Sequence, residues 1–183
     1  LKSLNLLLDH KWNVKVADFG LTVFRDSVKR KGDGDRCVVG SVPWMAPELL
    51  QRDTDHRNPQ APIEFVQLVD VYSFGIILWE VLTRKRPYES LSPSQVAVAV
   101  IRSDLRPTLP AGVLGLADHE RQYLNLMSAC WHRDPSVRPA FHRIMDTLVK
   151  INNAAGGGNS SSGFVFSSSS GSNSSGGGKC DKD

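Results

Sequence analysis

The segment from Asp70 to Leu82, DVYSFGIILWEVL, constrains the folding of this chain more than any other. Val71, Phe74, Ile77, Leu78, Val81 and Leu82 recur at helical spacing, and Ile76 and Trp79 widen the stripe, so one broad face of a helix must be covered. Asp70 stands where an N-cap would accept from the first free backbone N–H groups. The most apolar run, Gly75 to Leu82, is too short to span a bilayer and carries Glu80, so no membrane contact is expected from this segment. The remaining chain has to fold around this helix. A length of 183 residues with 40% hydrophobic content is enough for one domain with a core.

Three further helices are expected over Ser92–Arg102, Ala117–Trp131 and Pro139–Ile151, with Pro107, Pro110, Pro135 and Pro139 at their starts and breaks. Before the central helix, residues Leu6 to Val16 read as short strands about the turn His10-Lys11-Trp12-Asn13, because Val14 and Val16 alternate with Lys15. The second strand leads to Asp18. Residues 21–45 are polar and glycine-containing, too long for an ordinary connection, and such loops are usually functional or disordered. The expected fold is mainly α, a helical bundle with a few short strands at its start. It occupies residues 1–153, and 154–183 form a disordered Gly/Ser-rich linker or tail whose one apolar cluster is Phe164-Val165-Phe166.

Charge and cysteine content exclude several classes. The net charge is +3, but Lys and Arg are interspersed with Asp and Glu, so nucleic acid is not an expected partner. Cys37, Cys130 and Cys180 are odd in number and show no Cys-x-x-Cys spacing, which fits free thiols in a reducing compartment. His10, His56, His119, His132 and His142 show no metal-ligand spacing.

Two short strings then narrow the reading: Asp18-Phe19-Gly20 within VKVADFGL, and Ala46-Pro47-Glu48 within GSVPWMAPELL, separated by the long loop. They resemble the magnesium-binding motif and the end of the activation segment of eukaryotic protein kinases. Leu1-Lys2-Ser3-Leu4-Asn5 is similar to the second half of the kinase catalytic loop. The resemblance runs from Leu1 to about Ile151 and continues through SFGIILWE and CWHRDPSVRPAF. It implies the large, C-terminal lobe of a Ser/Thr kinase of the tyrosine-kinase-like group. The texture of VYSFGIILWEVLTRKRPY and QVAVAVIRSDLRP is most similar to amoebal receptor kinases that carry a nucleotide cyclase domain.

This resemblance implies ATP and magnesium as cofactors and a protein as substrate. Phosphoryl transfer is mostly positioning and charge stabilisation, and magnesium takes hard oxygen ligands. Asp18 and Asn5 are the implied metal ligands, and Lys2 the implied catalytic-loop lysine that neutralises the transferring phosphate. Leu7 would form the floor under the adenine ring and Ala17 would approach the phosphates. Ser41 would lie on the substrate side and, with Lys2, marks Ser/Thr specificity. Glu48 and Arg138 match the family's structural ion pair. Asp70 matches the aspartate that ties the catalytic loop to the central helix, as an alternative to a plain cap. Thr22, Ser27 and Ser41 are candidate phosphosites, near Arg25, Lys29, Arg30 and Lys31.

By the same resemblance, the Gly-rich loop, the strand lysine, its helix glutamate partner and the His-Arg-Asp half of the catalytic loop are absent, so a kinase N-lobe is the implied missing partner. The chain by itself is expected to be inactive, from a cytoplasmic protein or the cytoplasmic side of a membrane receptor. A non-catalytic kinase-homology regulatory or interaction module is the alternative.

Overall fold

The computed structural model describes residues 1–17, 41–52, 63–109 and 117–156. Two short strands, β1 (Leu6–Leu8) and β2 (Val14–Val16), pair antiparallel with Leu6 opposite Val16 and Leu8 opposite Val14. Five α-helices follow among the described residues: α1 (Pro47–Arg52), α2 (Ile63–Thr83), α3 (Pro93–Ser103), α4 (Asp118–Cys130) and α5 (Phe141–Ala154). The fold is mainly α.

α2 is the axis of the molecule. Tyr72 and Ile76 are fully buried, Val71 nearly so, and Ile77, Leu78 and Trp79 are also buried. They pack with Tyr123, Met127 and Cys130 of α4 and with Ile144 and Ile151 of α5 into the main core. A smaller core joins Val42 to Val96 and Val100 of α3, with Met45 and Leu50 beside them.

Two expectations about α2 need correction. The helix begins at Ile63, so Asp70 lies inside it and is no cap. An aspartate before an apolar run resembles a cap in sequence, but the helical segment continues upstream of it. The expected face was also misplaced at one position, because Val81 is 65% exposed whereas Tyr72, outside the expected stripe, is fully buried. A helix enclosed on most sides has no single wet face for a periodicity argument to find.

Helix ends follow local chemistry. Ser92 caps α3 in a capping box: its N–H donates to Gln95 Oε1 at 2.8 Å and its Oγ accepts from the Gln95 N–H at 3.4 Å. Ala117 has no side-chain acceptor, so only the reverse half forms at α4, its N–H donating to Glu120 Oε2 at 3.0 Å. Arg84 ends α2 with φ of +56°. No helix among the described residues is long and apolar enough to cross a membrane.

Candidate active site

The site begins at the hairpin. Asp9 organises its turn: Oδ1 accepts from the N–H groups of Lys11 and Asn13 at 2.8 and 2.9 Å, and Oδ2 accepts from Asn13 Nδ2 at 3.0 Å. These bonds favour its charged form and hold its pKa below the ordinary carboxylate value. With the register fixed by this turn, the ladder continues past β1. The Asn5 carbonyl accepts from the Ala17 N–H at 2.7 Å. The strand pairing therefore brings Asn5 opposite the residue that immediately precedes Asp18. Asp18 itself, like Thr22, Ser27, Cys37 and Cys180, lies outside the described residues.

Residues 1–5 are tied to α2 at two points. The Leu1 backbone nitrogen donates to Asp70 Oδ1 at 2.8 Å, and Ser3 Oγ donates to Glu80 Oε1 at 2.9 Å. Asp70 therefore lies against the start of the segment that carries Lys2 and Asn5. Lys2 is half-buried in extended backbone, and its carbonyl accepts from the Asn5 N–H at 3.0 Å in the 3-10 turn Ser3–Asn5. Leu7 is 55% exposed and Ala17 half-buried.

Sequence reasoning gave Glu80 no partners at the site. Its second oxygen, Oε2, accepts from Trp44 Nε1 at 2.8 Å, so one carboxylate joins the Lys2–Asn5 segment to the Val42–Trp44 turn. Burial raises its pKa, opposed by the hydrogen bonds from Trp44 and Ser3. The signal was present in the sequence, since a carboxylate inside an apolar buried helix requires partners. Between these elements lies an open groove of about 460 Å³ lined by Ser3, Pro43, Trp44, Glu80, Tyr88 and Val96.

Ser41 sits at the edge of the Val42–Trp44 turn, 8% exposed, and its Oγ has no partner among the described residues. The turn is held to α2 by Ser73, whose Oγ donates to the Trp44 carbonyl at 2.7 Å.

Glu48 and Arg138 form a bidentate pair, Nη1 to Oε1 at 2.6 Å and Nη2 to Oε2 at 2.9 Å. Arg138 also donates from Nε to the His132 carbonyl, from Nη1 to that of Leu68 and from Nη2 to that of Arg133. Its guanidinium lies over the Tyr72 ring, 5.2 Å from the centroid. The pair joins the helix after the Val42–Trp44 turn to the loop between α4 and α5. Cys130 is buried in the core and its thiol is pushed up to about 12, so it carries no nucleophile. Among the described residues no group of three or more His, Cys, Asp or Glu is arranged to hold a metal ion.

The sequence profile of the family described as protein tyrosine and serine/threonine kinase matches residues 1–148. An Acanthamoeba polyphaga mimivirus protein named as a serine/threonine-protein kinase/receptor is 46% identical over 151 residues, covering 82% of this chain and 9% of the relative. A second mimivirus protein of the same kind is 49% identical over 148 residues, covering 81% and 8%. An Arabidopsis thaliana serine/threonine-protein kinase is 37% identical over 152 residues, covering 82% and 23%. The chain thus spans less than a tenth of the mimivirus relatives and about a quarter of the plant one.

Proposed function

We propose, from the premise that this chain belongs to the protein tyrosine and serine/threonine kinase family, that it forms the large lobe of an ATP- and magnesium-dependent Ser/Thr protein kinase. The observation that carries this reading is the 2.7 Å bond between the Asn5 carbonyl and the Ala17 N–H. It supports a site made from Asn5 and the residue that follows Ala17, whose amide oxygen and carboxylate form the donor set. Both are hard oxygen donors of the kind magnesium takes, so the donor set fits the metal. When bound with ATP, magnesium would neutralise charge on the phosphate oxygens.

The chain's own residues have distinct tasks in this proposal. Asn5 and Asp18 position the nucleotide phosphates, and Lys2 supplies a cationic point charge near the transferring group. Leu7 and Ala17 approach the nucleotide. The groove beside Trp44 and Glu80 takes the protein substrate, and Ser41 lies at the edge of the Val42–Trp44 turn that borders it. Lys2 and Ser41 favour Ser/Thr over Tyr specificity.

The nucleotide also needs an upper wall, which a kinase N-lobe would supply. The hairpin supports such a partner, because Leu8, Trp12, Val14 and Val16 are all at least half exposed. A cytoplasmic setting, free or beneath a membrane receptor, belongs to the same proposal.

The test uses the parent protein that contains this segment, assayed for magnesium- and ATP-dependent phosphorylation of a protein substrate. Asp18→Asn is expected to lower the rate by about a hundredfold or more, since metal-assisted charge stabilisation is worth several kcal/mol. An Asp18→Asn parent that transfers phosphate at the unmodified rate would overturn the assignment.

A further inference from the structure

The apolar arc of α5 is wider than the fold covers. Ile144 and Ile151 are buried and Leu148 packs beside them, while Phe141, Met145 and Val149 are 42%, 66% and 54% exposed. At 100° per residue these side chains span roughly 160° of the helix circumference. The main core covers only the half that carries Ile144, Leu148 and Ile151. Phe141, Met145 and Val149 recur every fourth position, so they form one ridge with roughly 6 Å between successive members. The ridge is anchored at its start, where the Phe141 ring meets the edge of Phe74 with centroids 5.8 Å apart.

The sequence beyond α5 holds a matching segment. Gly156, with φ of +84°, turns the backbone off the helix axis. A Cβ there would touch nothing, so the backbone angle and not lack of room calls for glycine. Between residues 157 and 178, where Gly and Ser predominate, Phe164, Val165 and Phe166 are the sole apolar side chains. The intervening residues 157–163 reach roughly 26 Å when extended, and the way back from Ala154 to Phe141 is roughly 20 Å. Alternate residues of an extended segment face one side at roughly 6.6 Å spacing, close to the period of the ridge.

We infer that Phe164-Val165-Phe166 folds back along α5 and covers the ridge Phe141-Met145-Val149, with the two phenyl rings seated on either side of the Met145 thioether. A flexible thioether between two aromatic rings is a favourable contact. The Gly/Ser residues on both sides of the triplet then act as the slack that lets it seat.

Methionine supplies the probe. The chain holds three methionines, Met45, Met127 and Met145, and Met127 is fully buried, so its methyl reports whether the core is intact. In the full chain labelled with carbon-13 at the methionine methyls, the Met145 signal, assigned by Met145→Leu, is expected to be shifted upfield by the rings. The double substitution Phe164→Ser with Phe166→Ser should return it toward its unstructured position while the Met127 signal stays in place. A Met145 signal that ignores the tail substitutions would overturn the inference. So would one that moves with protein concentration but not with those substitutions, which would mean that a second copy of the chain covers the ridge.

Discussion

Arg138 has every one of its five N–H donors engaged, two of them by Glu48, and its side chain is fully buried while that of Glu48 is 14% exposed. Truncating one partner of a pair this deep strands the other charge. Glu48→Ala is therefore expected to cost about 3–5 kcal/mol, read as a lowered midpoint in thermal unfolding. An unchanged midpoint would show that the pair does not hold these elements together. The identities of these partners were legible in sequence because the family motifs name them, but the three carbonyls that complete the guanidinium were not. Glu80 leads to a pH prediction. Its folded pKa lies above the ordinary 4.5 because burial penalises the charged form. The folded state then holds that proton more tightly than the unfolded chain does. Its contribution to stability is present below the ordinary value and is lost as pH rises through the raised one. Glu80→Gln keeps an oxygen for Trp44 and an amide for Ser3 without the charge, so it should flatten the decline in stability from pH 4.5 upward. Denaturant midpoints of the two proteins measured across that range check it, and parallel profiles would remove Glu80 as the source.

The crossing of α2 and the end of α4 depends on one missing side chain. A Cβ built on Gly75 would lie 2.9 Å from the Trp131 backbone nitrogen and 3.0 Å from Cys130 Cβ. Backbone cannot rotate away as a side-chain tip can. Alanine is intrinsically the better helix former by about 1 kcal/mol, yet Gly75→Ala is expected to destabilise by about 1–3 kcal/mol because the helices must separate. Equilibrium chemical denaturation measures the sign, and a stabilised variant would show that the approach is looser than these distances. Element boundaries were legible where local chemistry sets them. The Ser92 cap with Pro93 and Gln95 marks α3 within a residue or two. The same kind of signal misled at Asp70, because an aspartate that bonds to a distant segment looks in sequence like one that caps its own helix.

Over the whole molecule, a central apolar helix is wrapped by α4 and α5 on one side and by the hairpin segment and the Val42–Trp44 turn on another. The order of the motifs and the period of the helices were enough to anticipate a mainly α lobe of this family, since each is a local property of consecutive residues. The hairpin over Leu6 to Val16 was legible too, but the register that sets Asn5 opposite Ala17 came from the structure. What the chain's letters determined, then, were its helices, its turns and the chemical types available at the candidate site. Only the tertiary structure decided that Tyr72 is enclosed while Val81 faces water, that Glu80 bridges Ser3 and Trp44, and that half of the α5 stripe is left uncovered. Those outcomes depend on which surfaces meet across long sequence separations, and burial and carboxylate pairing are properties of that meeting and not of any one segment.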